Sequence, residues 1–168
     1  MEFLGVVCLN NMKKQFTLKG KYTYSVYKDG KLLRTSPVIE NLIVLNNDPA
    51  GLYIILDRML GINTHEIEIT SAEIGTGEIA PAITDTDLGN MVLDDIPVAL
   101  KSREADDEIK FVFFINNTEL ANGSYTEFGL RMGTQLFARS IISPTFTKAE
   151  GEDFRLDYSI TASSVEVS

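Results

Sequence analysis

The sequence is poor in the residues that carry covalent and metal chemistry. Its 168 residues include one cysteine, one histidine and no tryptophan. Because Cys8 has no partner in the chain, it excludes an internal disulfide and a cysteine-based zinc site. The single histidine, His65, excludes a histidine-rich metal site and has no recognisable nucleophile partner for a Ser-His triad. We therefore expect stability to come from the core or from neighbouring subunits.

Positive charge and long apolar runs are scarce as well. The chain has 15 Lys and Arg residues against 24 Asp and Glu residues, which gives a formal net charge of −9. Since such a chain repels polyanions, we expect it to bind neither nucleic acid nor an anionic membrane. The dense basic cluster that does occur is Met12-Lys13-Lys14 with Lys19 and Lys21. No run approaches the roughly 20 apolar residues of a membrane span, so we predict no membrane segment.

The first twenty residues leave two interpretations open. Glu2 and the short apolar run before Cys8 do not fit an export signal, so we expect the chain to stay in the cell that makes it. The segment is too apolar for a free arm in water, which predicts either a first strand or an arm that packs on a neighbouring subunit. Residues 21–168 are predicted to form a single β-rich domain. The interface candidates of the arm are Phe3, Leu4, Val6 and Val7.

A β-hairpin is predicted close to the start of this domain. Residues 22–27 (Tyr-Thr-Tyr-Ser-Val-Tyr) have the composition of a strand. The following Lys28-Asp29-Gly30-Lys31 supplies the Asp-Gly pair that two-residue hairpin turns favour. The returning strand covers residues 32–36 and stops at Pro37.

One short α-helix is predicted at about residues 49–60. Asp48 can accept hydrogen bonds from the first turn, and Pro49 fits the first helical position. Gly61 offers the left-handed residue that often ends a helix. An apolar stripe at helical spacing predicts packing into the core. Its members are Leu52, Ile55, Leu56, Met59 and Leu60.

Beyond this helix the apolar residues recur with period two. The pattern is clear in residues 67–69, 109–115 and 154–160, and residues 91–100 and 136–142 complete about seven strands or more. Alternation of this kind indicates sheets with one face buried. The predicted fold class is mainly β: an antiparallel β-sandwich or flattened barrel with one short α-helix.

The candidates for metal binding or catalysis are few. Asp85 and Asp87 are the alternative candidates if the protein binds calcium, because calcium favours carboxylate oxygens close together on a turn. The spacing of an EF-hand is absent, so solvated loop carboxylates are the ordinary interpretation. The Gly75-Thr76-Gly77 turn lacks the Gly-Lys-Ser/Thr ending of a phosphate loop, and no Gly-x-Ser-x-Gly motif occurs. We predict no metal, no cofactor and no enzymatic activity.

Two charged residues interrupt apolar strands. Glu127 and Arg139 lie in segments that are otherwise apolar, and neither can be buried without a partner. One interpretation is an ion pair between neighbouring strands of the same chain. The other is a pair across a subunit interface, so both residues are interface candidates.

Several short segments follow one another in a characteristic order. A Gly-Thr-Gly loop with Ala-Pro and Thr-Asp-Thr-Asp-Leu-Gly covers residues 75–89, and residues 127–130 read Glu-Phe-Gly-Leu. Leu-Phe-Ala-Arg follows at residues 136–139, Ser-Pro-Thr-Phe-Thr-Lys at 143–148, and Leu-Asp-Tyr-Ser-Ile-Thr at 156–161. This ordered set resembles a β-rich module of fibre, baseplate and related virion proteins of tailed bacteriophages.

The resemblance implies a structural role with no catalytic residues. It implies a virion protein, made in the cytoplasm of a bacterial host, that acts by symmetric packing with copies of itself and with other virion proteins. A tail, baseplate, fibre-base or neck subunit fits a short chain without fibre repeats. The alternatives are a carbohydrate- or receptor-binding β-sandwich module and a capsid decoration protein.

Overall fold

The computed structural model describes residues 5–9, 12–46, 50–62 and 67–167, and their fold is mainly β. The elements in chain order are β1 (Gly5–Leu9), β2 (Met12–Lys28), β3 (Lys31–Thr35), β4 (Ile39–Ile43), β5 (Leu45–Asn46), β6 (Ala50–Gly51), α1 (Leu52–Met59), β7 (Ile69–Gly75), β8 (Met91–Ala105), β9 (Glu108–Ile115), β10 (Gly123–Met132), β11 (Gln135–Lys148) and β12 (Glu152–Val167).

Eight of these strands close into an antiparallel barrel. Neighbours around it follow the order β2, β12, β9, β8, β7, β10, β11, β4, and the pairing of β4 with β2 closes the ring. The predicted mainly-β class is confirmed. Because β4 pairs with β2, the fold is the barrel and not the sandwich of the two predicted alternatives. The short strands β5 and β6 form a separate two-stranded sheet.

Strand β2 connects the barrel with the chain's N-terminal part. One of its edges pairs with β12 from Lys13 to Lys28, while the other edge pairs in turn with β1, β4 and β3. The pairing of β12 with β9 ends at Thr161, and β4 contacts β2 only at residues 20–22. Beyond these points β1, β2 and β12 continue as a three-stranded ribbon. The boundary predicted after residue 20 therefore falls inside a continuous strand.

The predicted hairpin is confirmed in its turn and its strands. Asp29 and Gly30 adopt φ angles of 50° and 73° between β2 and β3. Left-handed conformations at both central residues define the tight turn that matches the twist of the flanking strands. Leu32 and Leu33 of β3 remain exposed, because this strand lies on the outside of the closed barrel.

The barrel interior is filled by aromatic and aliphatic side chains from all around the ring. Tyr22 of β2 contacts Phe128 and Tyr158, with ring centroids 4.9 and 6.2 Å apart respectively. Phe146 and Phe154 approach to 4.4 Å. These residues alternate with outward-facing ones along each strand, as the period-two pattern requires.

Helix α1 is shorter than predicted, and the prediction that its whole apolar stripe is buried is wrong. It spans Leu52–Met59, because Ala50 and Gly51 pair with β5 as strand β6. Leu52 and Ile54 are buried, whereas Leu56, Met59 and Leu60 are exposed. Among the described residues, the fully buried side chains of the helix therefore belong to its first turn. The predicted start at Asp48 and Pro49 lies outside the described residues, and Gly61 has the expected left-handed φ of 81°. Within the described ranges no helix is long and apolar enough to cross a membrane.

Candidate functional site

A long loop between β7 and β8 lies over the outer face of the barrel. We call residues 76–90 the covering loop. It contacts β10 and β11 through the charged residues that interrupt their apolar pattern. Leu88 of the loop is buried, and its Cδ2 atom would lie 3.0 Å from a Cβ placed at Gly129 of β10. The loop is therefore packed on the sheet and makes side-chain contact with it.

Glu127 of β10 holds both ends of the covering loop. Its Oε1 accepts hydrogen bonds from the amides of Gly77 at 2.7 Å and Asn90 at 2.6 Å. Its Oε2 accepts from the amide of Gly89 at 2.9 Å. The side chain has no solvent exposure. One carboxylate thus takes the place of the backbone partners that these three amides would otherwise lack.

Arg139 of β11 completes this arrangement. Its Nη2 and Nε donate to Oε2 of Glu127 at 2.9 and 3.1 Å, so the ion pair predicted from the sequence is confirmed. Nη1 donates to Asp85 at 2.7 Å, and Nη2 also donates to the carbonyl of Ile79 at 3.0 Å. The buried guanidinium therefore fixes the middle of the covering loop as Glu127 fixes its ends.

A second ion pair lies beside the first. Arg131 of β10 donates to Glu73 of β7 at 2.9 Å and to Asp87 of the covering loop at 2.8 Å. Glu73 is 1% exposed, and its Oε1 has no hydrogen-bond partner among the described residues. Burial raises the pKa of Glu73 above its usual value, although Arg131 opposes this shift.

The Glu127 carboxylate responds differently to the same kind of burial. Burial favours its neutral form, but hydrogen bonds from the amides of Asn90 and Gly89 and from Arg139 favour the charged form. Together these bonds prevail, and the pKa of Glu127 is lowered. The covering loop therefore binds the charged form of Glu127.

Glycines make room for both carboxylates. A Cβ at Gly129 would lie 2.7 Å from Oε1 of Glu73, and one at Gly77 would lie 2.6 Å from Cδ of Glu127. Both distances are shorter than ordinary van der Waals contact. Glycine within a strand often marks such a close approach, and Gly129 is the example here.

The covering loop presents apolar side chains to solvent. Ile79 is 77% exposed, and Ile83 and Ala82 are exposed as well. Asp85 accepts a hydrogen bond from the amide of Ala82 at 2.9 Å, so this part of the loop is also held. An ordered loop with exposed apolar residues is a surface that another protein can bind without ordering it first.

A second candidate site is the open mouth at one end of the barrel. It encloses a cavity of about 710 Å³ between α1 and the strand ends. The lining is largely apolar and includes Leu18, Ile55, Ile109, Phe111, Met132 and Ile160. Mouths of β-barrels are common binding sites, and this volume lies within their ordinary range. Lys101 and Glu68 form an ion pair at its rim.

The other residues singled out in the sequence have the following positions. Asp85 accepts a hydrogen bond from Arg139, and Asp87 accepts one from Arg131. No group of three potential metal-binding side chains occurs among the described residues. Val6 and Val7 belong to β1, whereas Phe3 and Leu4 lie outside the described residues. An interface role for these four remains a prediction.

Sequence reasoning missed the roles of Glu73 and Arg131. Both alternate with apolar residues, which indicates an ordinary solvent-facing row. Their burial depends on the path of the covering loop, which no local pattern reveals. Gly129 between Phe128 and Leu130 was the available signal, since an isolated glycine in a strand suggests a close neighbour.

Comparison of the chain with protein families, with curated proteins and with solved structures finds no match.

Proposed function

We propose that this protein is a structural subunit of a tailed-bacteriophage particle, in its tail, baseplate, fibre base or neck. It is made in the bacterial cytoplasm and acts in the virion by packing against copies of itself and other virion proteins. The proposal begins from the ordered set of segments that resembles phage structural modules. It includes no catalytic role and no cofactor.

The observation that carries the proposal is that the charged residues in that set are buried and hold the covering loop. Glu127 and Arg139 bind the covering loop and each other, and neither is available at the surface. Among the residues that the loop exposes are apolar side chains, including Ile79 at 77% exposure. A buried ion network that holds an apolar surface in one conformation suits a subunit that must repeat the same contact many times.

A carbohydrate-binding module receives weaker support from the described surface. Sugar binding commonly relies on exposed aromatic rings beside polar groups. The exposed rings among the described residues are Tyr53 on α1 and Phe114 on β9, which are separate elements.

The test is to locate the protein in purified particles. Phage particles are separated from lysate by density gradient, and the chain is quantified by mass spectrometry relative to the major capsid protein. We expect a constant number of copies per particle and a discrete position in labelled electron micrographs. A protein that remains in the soluble fraction, as a replication protein of the same phage does, contradicts the proposal.

An Ile79→Asp variant tests the loop in the same assay. Its side chain is exposed, so the isolated subunit is expected to fold with unchanged melting temperature. If the loop forms a contact in the particle, incorporation of this variant decreases. Glu78→Gln, also exposed and adjacent to Ile79, is the matched control and is expected to be incorporated normally.

A further inference from the structure

We propose that the covering loop of one copy docks on the outer face of β9 in a second copy, so that copies associate head to tail. The receiving surface, which we call the β9 patch, consists of Val112 and Phe114 of β9 and Leu100 of β8. This deepens the proposed function, on which it rests for the many copies held together in a particle. It names both the surface and the partner.

Strand β9 has apolar residues on both of its faces. Phe113 and Ile115 fill the barrel interior and are 1% and 2% exposed. Val112 and Phe114 alternate with them and therefore lie on the outer face, where Leu100 of β8 pairs with Val112. Strands with two apolar faces are typically covered on both sides. Phe114 and Leu100 are nevertheless 46% and 57% exposed, which is the character of a contact surface.

The covering loop offers an apolar counterpart that is already held in place. Ile79 and Ile83 are 77% and 42% exposed. The carbonyl of Ile79 accepts a hydrogen bond from Arg139, and the carbonyl of Ile83 accepts one from the amide of Leu45 at 2.8 Å. Because both backbone positions are fixed, docking of the two side chains requires little further ordering of the loop.

The loop and the β9 patch lie on opposite sides of the barrel. The loop covers β10 and β11, whereas the patch lies on β9 and its neighbour β8. In the closed ring, β8 and β7 separate β9 from β10, and β2 and β4 separate β12 from β11. A loop that reaches a patch must therefore belong to another copy. Since a copy that uses its patch still presents its loop, repetition of this contact gives a ring or a filament.

The distribution of charge favours this contact over one between two loops. The side of the barrel with the loop carries eight carboxylates and two guanidinium groups: Glu40, Glu73, Glu78, Asp85, Asp87, Asp94, Asp95 and Glu127 with Arg131 and Arg139. The outward-facing charges of β2, β12 and β9 are nearly balanced: Lys19, Lys21, Lys110 and Arg155 with Glu108, Asp153 and Asp157. Two loops that face each other bring like charges together, whereas a loop on the opposite side of a second copy does not.

A mixing experiment with two full-length variants tests the head-to-tail arrangement. Ile79→Asp alters the loop and Phe114→Asp alters the patch, and both positions are exposed. The parent should associate with increasing concentration in sedimentation velocity, and each variant alone should associate at least about tenfold more weakly. An equimolar mixture should form dimers and stop there, because one variant keeps an intact patch and the other an intact loop.

Two further variants serve as replacement and control in this experiment. Leu100→Asp tests the same patch from β8 if Phe114→Asp does not fold. Met59→Asp is the matched control, since Met59 on α1 is 79% exposed and belongs to neither surface. It should associate as the parent does. A parent that stays monomeric at high concentration, or a mixture that stays monomeric while the parent associates, overturns the proposal.

Disulfide trapping tests the contact directly. In a Cys8→Ser background, a chain with Ile79→Cys is mixed with a chain with Phe114→Cys and oxidised mildly. We expect a mixed dimer on a non-reducing gel, and much less with Met59→Cys as the second chain. Equal cross-linking to both overturns the proposal. Particle incorporation is measured separately: a chain that is present in particles but does not associate contradicts this inference alone, and one that associates head to tail but is absent from particles contradicts the proposed function alone.

Discussion

The carboxylate of Glu127 and the guanidinium of Arg139 lie 2.9 Å apart on adjacent strands, and the two residues are 0% and 3% exposed. They are not directly opposite, since Arg139 pairs with Gly129 and Glu127 with Ile141. Gly129, opposite Arg139, has no side chain, and Glu73 lies close to it. The covering loop, fixed by both charges, has its Leu88 against that glycine.

Neutralising Glu127 should destabilise the fold strongly. In Glu127→Gln, one side-chain oxygen becomes an NH2 group that cannot accept from the amides or from Arg139. Breaking a buried ion pair by removing one partner costs about 3 kcal/mol, and we expect a loss of this size in urea unfolding. Hydrogen exchange should accelerate at the amides of Gly77, Gly89 and Asn90, which Glu127 protects.

The control for this prediction is Glu78→Gln, which alters an exposed carboxylate in the same loop. It should change the free energy of unfolding by less than about 0.5 kcal/mol. A double variant with Glu127→Met and Arg139→Met leaves no unpaired charge of the pair, so its loss should be smaller than the sum of the single ones. Equal small effects for Glu127→Gln and Glu78→Gln would show that the network does not hold the loop.

A methyl group at Gly129 should destabilise the same region by steric conflict. The new Cβ would lie 2.7 Å from Oε1 and 2.9 Å from Cγ of Glu73, a side chain with almost no room to move. Gly129→Ala should therefore lower stability by about 2 kcal/mol, as overpacking of a core does. Gly123→Ala lies on the same strand with no contact below 3.8 Å and should be tolerated. Comparison of the two melting temperatures checks the prediction.

Two tyrosines inside the barrel should respond oppositely to removal of their hydroxyl groups. The Tyr22 hydroxyl hydrogen-bonds with Ser140 at 2.8 Å, so Tyr22→Phe should cost about 1 kcal/mol. The buried Tyr158 hydroxyl has no partner among the described residues, so Tyr158→Phe should leave stability unchanged or raise it. Chemical unfolding of both variants distinguishes these outcomes, and a larger loss for Tyr158→Phe would contradict the assignment.

Local patterns in the sequence predicted the local features of this fold. The Asp29-Gly30 turn forms because both residues tolerate left-handed backbone, which depends on nothing outside the hairpin. The alternation along residues 154–160 likewise predicted strand β12. The closure of the barrel could not be predicted in this way, because it depends on the pairing of β2 with β4 and of β12 with β9.

Burial could not be predicted where it depends on contacts between distant segments of the chain. The stripe on α1 has the spacing of a core helix, yet Met59 and Leu60 are exposed. Conversely, Glu73 has the pattern of a surface residue and is buried by a loop that returns over it. Both errors arise from contacts between distant segments, which periodicity does not encode.

The ion pair between Arg34 and Glu152 should make stability depend on pH in the acid range. Arg34 donates to both carboxylate oxygens at 2.8 and 2.9 Å, and these bonds, opposed in part by burial, lower the pKa of Glu152 to about 2. The unfolded chain has a pKa near 4.3 for this group. The contribution is therefore fully present above about pH 4.3 and is lost as the pH falls toward 2.

The variant Glu152→Gln isolates this contribution. At pH 7 it should be less stable than the parent by about 1 kcal/mol, a modest figure because the Arg34 side chain is 42% exposed and solvent screens the pair. The difference should shrink between about pH 4.3 and pH 2, since the parent's carboxylate then becomes neutral as well. Other carboxylates with lowered pKa, such as Glu127, contribute equally to both proteins and cancel in the difference. Urea unfolding across this pH range measures the difference in unfolding free energy, and Glu150→Gln, at an exposed neighbouring residue, is the control. A difference that stays constant down to pH 2 would exclude the ion pair as its source.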